Sequence, residues 1–567
     1  MEYLILAGAM LLFILFIMGK GYLDSKHSEK EFIKKLHIEY GAENNREYKS
    51  DELNAHISMY YRKHEAGHQI DDITWNDLNL DDVYRKINYS HSAAGDEYLY
   101  YKLRTPVQRT EELEHFESHV RYFMEHEEER VAMQVQFARL GRMGKYSLYE
   151  YLDYLDTLGE RNSIRYFLAI ILVFLAVSMM FYSTPIGLCA LLIILCRNMI
   201  FYFKEQKEIE PYITSFHYIS RLLAAADSIA GVPVEEIAKE RKTLKDGYRA
   251  MENFRKNSFI VLSGNGRVTT SSNFLEVMLD YLKMIFYLDL IKFNQMLRAV
   301  RTHQDEIDNL VTVIGALESA VVVGEYRTSL NGEYCVPELL KESDVFLKME
   351  QLYHPLLNNP VKNDIEVKRG VLLTGSNASG KSTFLRAAAL NVILAQTIHT
   401  SLAASYRASV FQVYSSMSLQ DDLESGDSYY MVEVKSIRRI LERVREAEKS
   451  RQHVLCFVDE VLRGTNTVER IAASTQILRA LAGENAVCFA ATHDLELTNL
   501  LADVYDNYHF EEEIAEDDIF FPYRLQKGPA VSRNAIALLK ALGYEDELVA
   551  DAEAMAQTFM QTGKWGN

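Results

Sequence analysis

From Tyr166 to Cys196 the chain runs for 31 residues without a charged side chain, bounded by Arg165 and Arg197. Such a run has to leave water, into lipid or into a core, because nothing in it offsets the cost of hydrating apolar surface. The whole block, "YFLAIILVFLAVSMMFYSTPIGLCALLIILCRNMIFYF", is about twice the ~20 residues that cross a bilayer as a helix. Ser183–Pro185 stands in its middle, where a turn falls. It reads as a membrane helical hairpin; the competing reading is a buried hairpin in a soluble core. Arg161 and Arg165 before it, with Arg197, Lys204 and Lys207 after it, put both ends on the cytoplasmic side by the positive-inside bias. A second apolar block, Tyr3 to Met18, is preceded only by Glu2 and followed by Lys20, Lys26 and Lys30. A signal peptide carries its positive charge first, so this block reads as an uncleaved anchor. The expectation is a multi-pass protein of the cell membrane with three spans, its N-terminus outside and its large parts cytoplasmic.

At 567 residues the chain has room for about three or four domains. Its net charge of −19 argues against a chain-wide basic surface for nucleic acid. The five cysteines form no CxxC pair and no metal-ligand spacing, so they read as small buried hydrophobes in a reducing compartment. Residues 30–160 and 206–345 show apolar positions at helical spacing, as in "FLEVMLDYLKMIFYLDLIKFNQMLRAV", with a turn expected at Ser263–Arg267. Near residue 346 the character changes. Short β-branched runs, "RGVLLTG", "HVLCFVDE" and "AVCFAATHD", alternate with helical segments, which predicts a sheet with crossover helices.

The chemistry lies in that region. "VLLTGSNASGKST" is a strand, a glycine-rich turn and a helix start fitting GxxxxGK[ST], with Gly375, Gly380, Lys381 and Ser382 at the fixed positions. The loop from Gly375 through Ser376, Asn377, Ala378, Ser379 and Gly380 to Lys381, Ser382 and Thr383 is expected to cradle the phosphates of ATP. Glycines let amides curl around phosphate, the helix N-terminus favours negative charge, and Lys381 reaches the terminal phosphates. Ser382 is a candidate Mg²⁺ ligand. About eighty residues on, "VLCFVDE" ends an apolar strand in two carboxylates: Asp459 as the Mg²⁺ partner and Glu460 to orient the attacking water. His493, at the end of "AVCFAATHD", is placed to sense the terminal phosphate.

These segments resemble the MutS family of DNA mismatch-repair ATPases. "GSNASGKSTFLRAAALNVILAQ" is similar to the family's nucleotide loop and helix, "DDLESGDSYYMVE" to its dimer-signature segment, and "VDEVLRGTNT" and "ATHDLELT" to its later ATPase motifs. Farther out, "LYHPLL" resembles the lead-in to that domain and "YRLQKGPAVSRNAIALLKALG" its closing hairpin and helical dimer segment. The resemblance is strong over 346–560 and faint over 73–345. It implies an ABC-like α/β P-loop ATPase domain preceded by an all-α core and lever, and a homodimer in which each nucleotide is completed by the partner. Ser428 then faces the other subunit's terminal phosphate, and Asn377 assists at the phosphates. The implied division is an anchor at 1–20, a charged linker at 21–72, a helical core at 73–160, the hairpin at 161–205, a lever at 206–345, the ATPase domain at 346–510 and a dimerisation segment at 511–567.

Some positions depart from the family. Val361 falls where many relatives place an aromatic residue against adenine, Tyr429 and Asp427 stand where threonine and arginine are common, and Ser376, Ala378 and Ser379 replace the usual Pro, Met and Gly. Residues 1–72 hold no counterpart of the family's mismatch-reading domain, and 206–345 is short for both lever and DNA clamp. The sequence therefore points to an ATP- and Mg²⁺-dependent ATPase whose partners are a second copy and membrane lipid. DNA, the family's partner, is the alternative.

Overall fold

A computed structural model describes residues 16, 19–20, 23–24, 26–48, 56–64, 67–107, 109–143, 146–262, 281–340, 345–376, 379–417, 429–450, 452–463, 465–515, 518–530, 536, 539 and 543–562. The anchor expected at Tyr3–Met18, the turn at Ser263–Arg267, and Asn377, Ala378 and Ser428 lie outside the described residues, apart from Phe16. The chain divides into two compact units. One comprises 1–64, 88–101 and 118–326; the other comprises 65–87, 102–117 and 327–567.

The first unit is helical. The uncharged run forms α1 (Ile164–Met180) and the first half of the 48-residue α2 (Thr184–Gly231), joined by a turn at 181–183, with Pro185 in the first turn where its missing N–H costs nothing. The α1 face that packs is built from Tyr166, Ala169, Val173 and Ala176, spaced three or four residues apart. Gly187 of α2 permits the close approach at the turn, since a Cβ there would sit 2.5 Å from the Met180 nitrogen. α2 changes character along its length. Up to Phe203 it exposes Ile186, Leu188, Leu192, Ile193, Met199, Ile200 and Phe203, whereas from Ile209 onward it buries Ile213, Phe216, Ile219, Leu222, Ala226 and Ile229.

Among the described residues, two helices are long and apolar enough to cross a membrane: α2 and Gln304–Ser329 (α4). They behave differently. The apolar part of α4 is mostly buried and serves as a core helix, while that of α2 is mostly bare. α1, at 17 residues, is at the short limit for a span. Two cysteines depart from the reading as buried hydrophobes, because Cys189 and Cys196 lie exposed on the bare part of α2. Between α2 and α4 runs α3 (Leu288–Thr302), which starts after a left-handed Tyr287. Among the described residues of the stretch 21–72, residues 26–38 are helical and Leu36, Ile57, Tyr60 and Ile70 are buried.

The second unit carries two sheets. A small mixed one has the order β1-β5-β2-β3, from Glu338–Leu340 (β1), Leu347–Leu352 (β2), Asn363–Val367 (β3) and Ser405–Ser409 (β5). The main sheet has the order β12-β9-β4-β8-β7-β6, from Gly370–Thr374 (β4), Phe411–Ser416 (β6), His453–Asp459 (β7), Ala486–Ala491 (β8), Tyr505–Phe510 (β9) and Leu525–Lys527 (β12). Its strands pair in parallel except β12 on β9. β4 and β8 are buried along their whole length, as central strands covered by crossover helices must be. The helices are α5 (Lys381–Thr397), α6 (Tyr429–Ser450) and α7 (Thr467–Leu481), with Asp546–Thr562 (α8) near the C-terminus. The acidic run after β9 folds as an antiparallel hairpin of Glu513–Ala515 (β10) and Asp518–Phe520 (β11).

Candidate nucleotide site

The strand order builds the site. β8 lies between β4 and β7, so the loops leaving the C-terminal ends of three adjacent strands meet. They carry Lys381, His493 and Asp459–Glu460. This end of a parallel sheet is where α/β folds place ligands.

After β4 the chain turns through Gly375 at φ +144° and Gly380 at φ +102°. A Cβ on Gly375 would lie 2.7 Å from the Phe510 carbonyl oxygen, so glycine is required there by conformation and by space. α5 then starts at Lys381. The Lys381 Nζ donates to the carbonyls of Gly375 (2.9 Å) and Ser376 (2.8 Å), and burial holds its amine below the ordinary lysine range against the pull of Asp459, Glu460 and Glu512. The Ser376 hydroxyl donates to Glu512 at 3.0 Å. Ser379 is buried, and Thr383 lines the cavity described below.

At the end of β7, the Ser382 hydroxyl donates to Asp459 Oδ2. Burial raises the Asp459 carboxyl above its usual range, in part against that hydrogen bond. A half-buried carboxylate beside a serine hydroxyl is an oxygen donor set suited to Mg²⁺, and the next residue supplies the second carboxylate. Glu460 is left-handed at φ +56°, an unusual conformation for a non-glycine residue. Its carboxylate is held by His493 Nε2 at 2.6 Å and Arg463 Nε at 2.9 Å. The bond from His493 lowers the Glu460 pKa, outweighing burial.

These groups border a cavity of about 470 Å³. One part of its wall is Ser376, Lys381, Ser382, Asp459 and Glu460; the rest includes His354, Val361, Phe510 and Tyr523. Burial lowers the His354 pKa to about 4, which keeps that ring neutral near pH 7. Tyr523 escapes sequence reading. Its ring would touch a Cβ on Gly380 at 3.0 Å, and its carbonyl accepts from Asn363 Nδ2 at 3.0 Å. The Tyr523 ring thus reaches the cavity from the segment before β12.

A parallel sheet with a glycine-rich loop, a buried lysine and paired carboxylates at adjacent strand ends defines a P-loop nucleotide-binding domain. Residues 371–560 match the family model for MutS domain V, which is an ATPase domain. The DNA mismatch repair protein MutS of Thermus aquaticus is 33% identical over 209 residues, 36% of this chain and 25% of that protein. That of Clostridium kluyveri is 28% identical over 284 residues, 47% of this chain and 32% of its own length. The chain thus spans about a quarter to a third of the length of these relatives.

Proposed function

We propose that the chain is a membrane-anchored MutS-like ATPase that hydrolyses ATP at a composite homodimer site and uses the cycle to move its helical levers and membrane hairpin. The observation that carries the ATPase half is the Glu460 carboxylate, held by His493 and lining the same cavity as Lys381. In this reading Lys381 and the amides of the glycine loop bind the phosphates, Ser382 and Asp459 hold Mg²⁺, and Glu460 orients water, with its hydrogen bond to His493 keeping it ionised. Bound Mg²⁺ supplies charge neutralisation on the phosphate oxygens. Tyr523 offers its ring to the base.

The membrane half is supported by seventeen large apolar side chains, each more than a third exposed, between Ile164 and Phe203. Water-soluble monomers rarely show contiguous apolar patches above a few hundred Å². Near the hairpin's base, Arg161 pairs with Glu205, and Tyr166 donates to the same carboxylate at 2.7 Å. This places a polar cluster where the apolar surface ends, as expected at a lipid–water boundary.

ATP turnover by the full chain in detergent, with and without homoduplex and mismatched DNA, tests the proposal. Turnover that Lys381→Ala abolishes and that DNA leaves unchanged is expected. Stimulation by mismatched duplex at moderate salt would replace it with the DNA-binding alternative suggested by the relatives' names.

A further inference from the structure

The turn that presents Glu460 is strained at two non-glycine positions, Glu460 at φ +56° and Leu462 at φ +59°. A bulky residue in the left-handed region persists only where its surroundings over-determine it. Three of the ties come from β8, from α7 and from the apolar core. The Glu460 amide donates to the Ala491 carbonyl at 2.9 Å, Ser474 donates to the Val461 carbonyl at 3.1 Å, and the Val461 and Leu462 side chains are buried in the core. The fourth comes from elsewhere. Glu433, on the second turn of α6 and 2% exposed, accepts the Leu462 amide through Oε1, and the Arg463 amide also faces this carboxylate. A buried carboxylate on amides is a strong, directional restraint.

We infer that Glu433 is a positioning residue for the reaction: its carboxylate clamps the 460–463 turn to α6 and so sets where the Glu460 carboxylate stands relative to Lys381 and Asp459. The inference rests on the ATPase reading and deepens it. α6 reaches the 460–463 turn through the Glu433 carboxylate and through the core that Ile437 and Ile440 share with Val461 and Leu462, so a shift of α6 is passed to Glu460. The clamp holds the backbone, while His493 and Arg463 hold the carboxylate itself.

The clamp separates from a general structural role by what it leaves alone. Glu433→Ala is expected to lower kcat by on the order of a hundredfold, the cost of misplacing a reacting group by about 1 Å. The Kd for a fluorescent ATP analogue and the melting temperature should stay near those of the parent. Glu433→Gln, which keeps one acceptor oxygen, should recover most of the rate. An unchanged kcat in Glu433→Ala, or a parallel loss of kcat, affinity and melting temperature, overturns the inference. Hydrogen exchange over the 457–463 segment of the full chain reads the clamp without turnover. Faster exchange at Leu462 in Glu433→Ala supports it, and unchanged exchange overturns it. A parent chain that turns over no ATP defeats the ATPase reading instead, and the exchange result then decides the clamp alone.

Discussion

His493 Nε2 lies 2.6 Å from Glu460 Oε1, although the two residues leave different strands, β8 and β7. The histidine lowers the Glu460 pKa, so the carboxylate remains ionised to lower pH than an ordinary glutamate. A depressed carboxyl contributes stability above its unfolded value, about 4.3, and loses it as pH falls through the folded value. The same sign governs activity when the ionised form orients water. In His493→Ala the Glu460 pKa rises, the acid limb of the kcat–pH profile moves to higher pH, and kcat falls by ~10²-fold. Superimposable pH profiles for parent and variant would refute the assignment.

Glu460→Gln removes the charge and keeps the shape. Nucleotide binding persists while turnover is lost, and ATP accumulates on the protein. Single-turnover assays with labelled ATP read this directly; turnover at the parent rate would show that the carboxylate is not used.

In the proposed function Ser382 and Asp459, joined by a hydrogen bond, hold the cation. Asp459→Asn keeps an acceptor for that hydroxyl but not the charge, so the Mg²⁺ dependence of ATP binding flattens. Titrating Mg²⁺ against nucleotide Kd checks it.

Tyr523 lines the cavity together with Val361. Base–aromatic stacking contributes about 1–3 kcal/mol, so Tyr523→Ala weakens ATP binding by roughly five- to 150-fold, whereas Tyr523→Phe does not. Val361→Tyr tightens it. Equilibrium binding of ATP to the three variants is the measurement.

Arg327 is fully buried and forks onto Glu117 at 2.9 and 2.7 Å, with further bonds to the Thr400 hydroxyl and the His399 carbonyl just beyond α5. Removing one partner strands the other charge in a dry site. Arg327→Met is therefore expected to cost about 3–5 kcal/mol, read by urea unfolding, and Arg327→Met with Glu117→Leu to recover part of it.

What the sequence by itself determined was local. Glycine and lysine spacing announces a loop whose backbone turns left-handed and whose lysine folds over it, because those conformations depend on neighbours a few residues away. The uncharged run from Tyr166 to Cys196 likewise announces a pair of apolar helices, and α1 with the first half of α2 has that form. The distinction between that run and α4 came only from the tertiary structure, since both are long and apolar and packing alone tells a core helix from a bare one. So did the strand order. Insertion of β8 between β4 and β7 decides that His493 meets Glu460, and the return of the chain before β12 decides that Tyr523 enters the cavity. Glu433 on Leu462 belongs to the same class. Contacts between residues tens to more than a hundred positions apart are selected by how whole elements bury their faces, and no spacing in the chain encodes them.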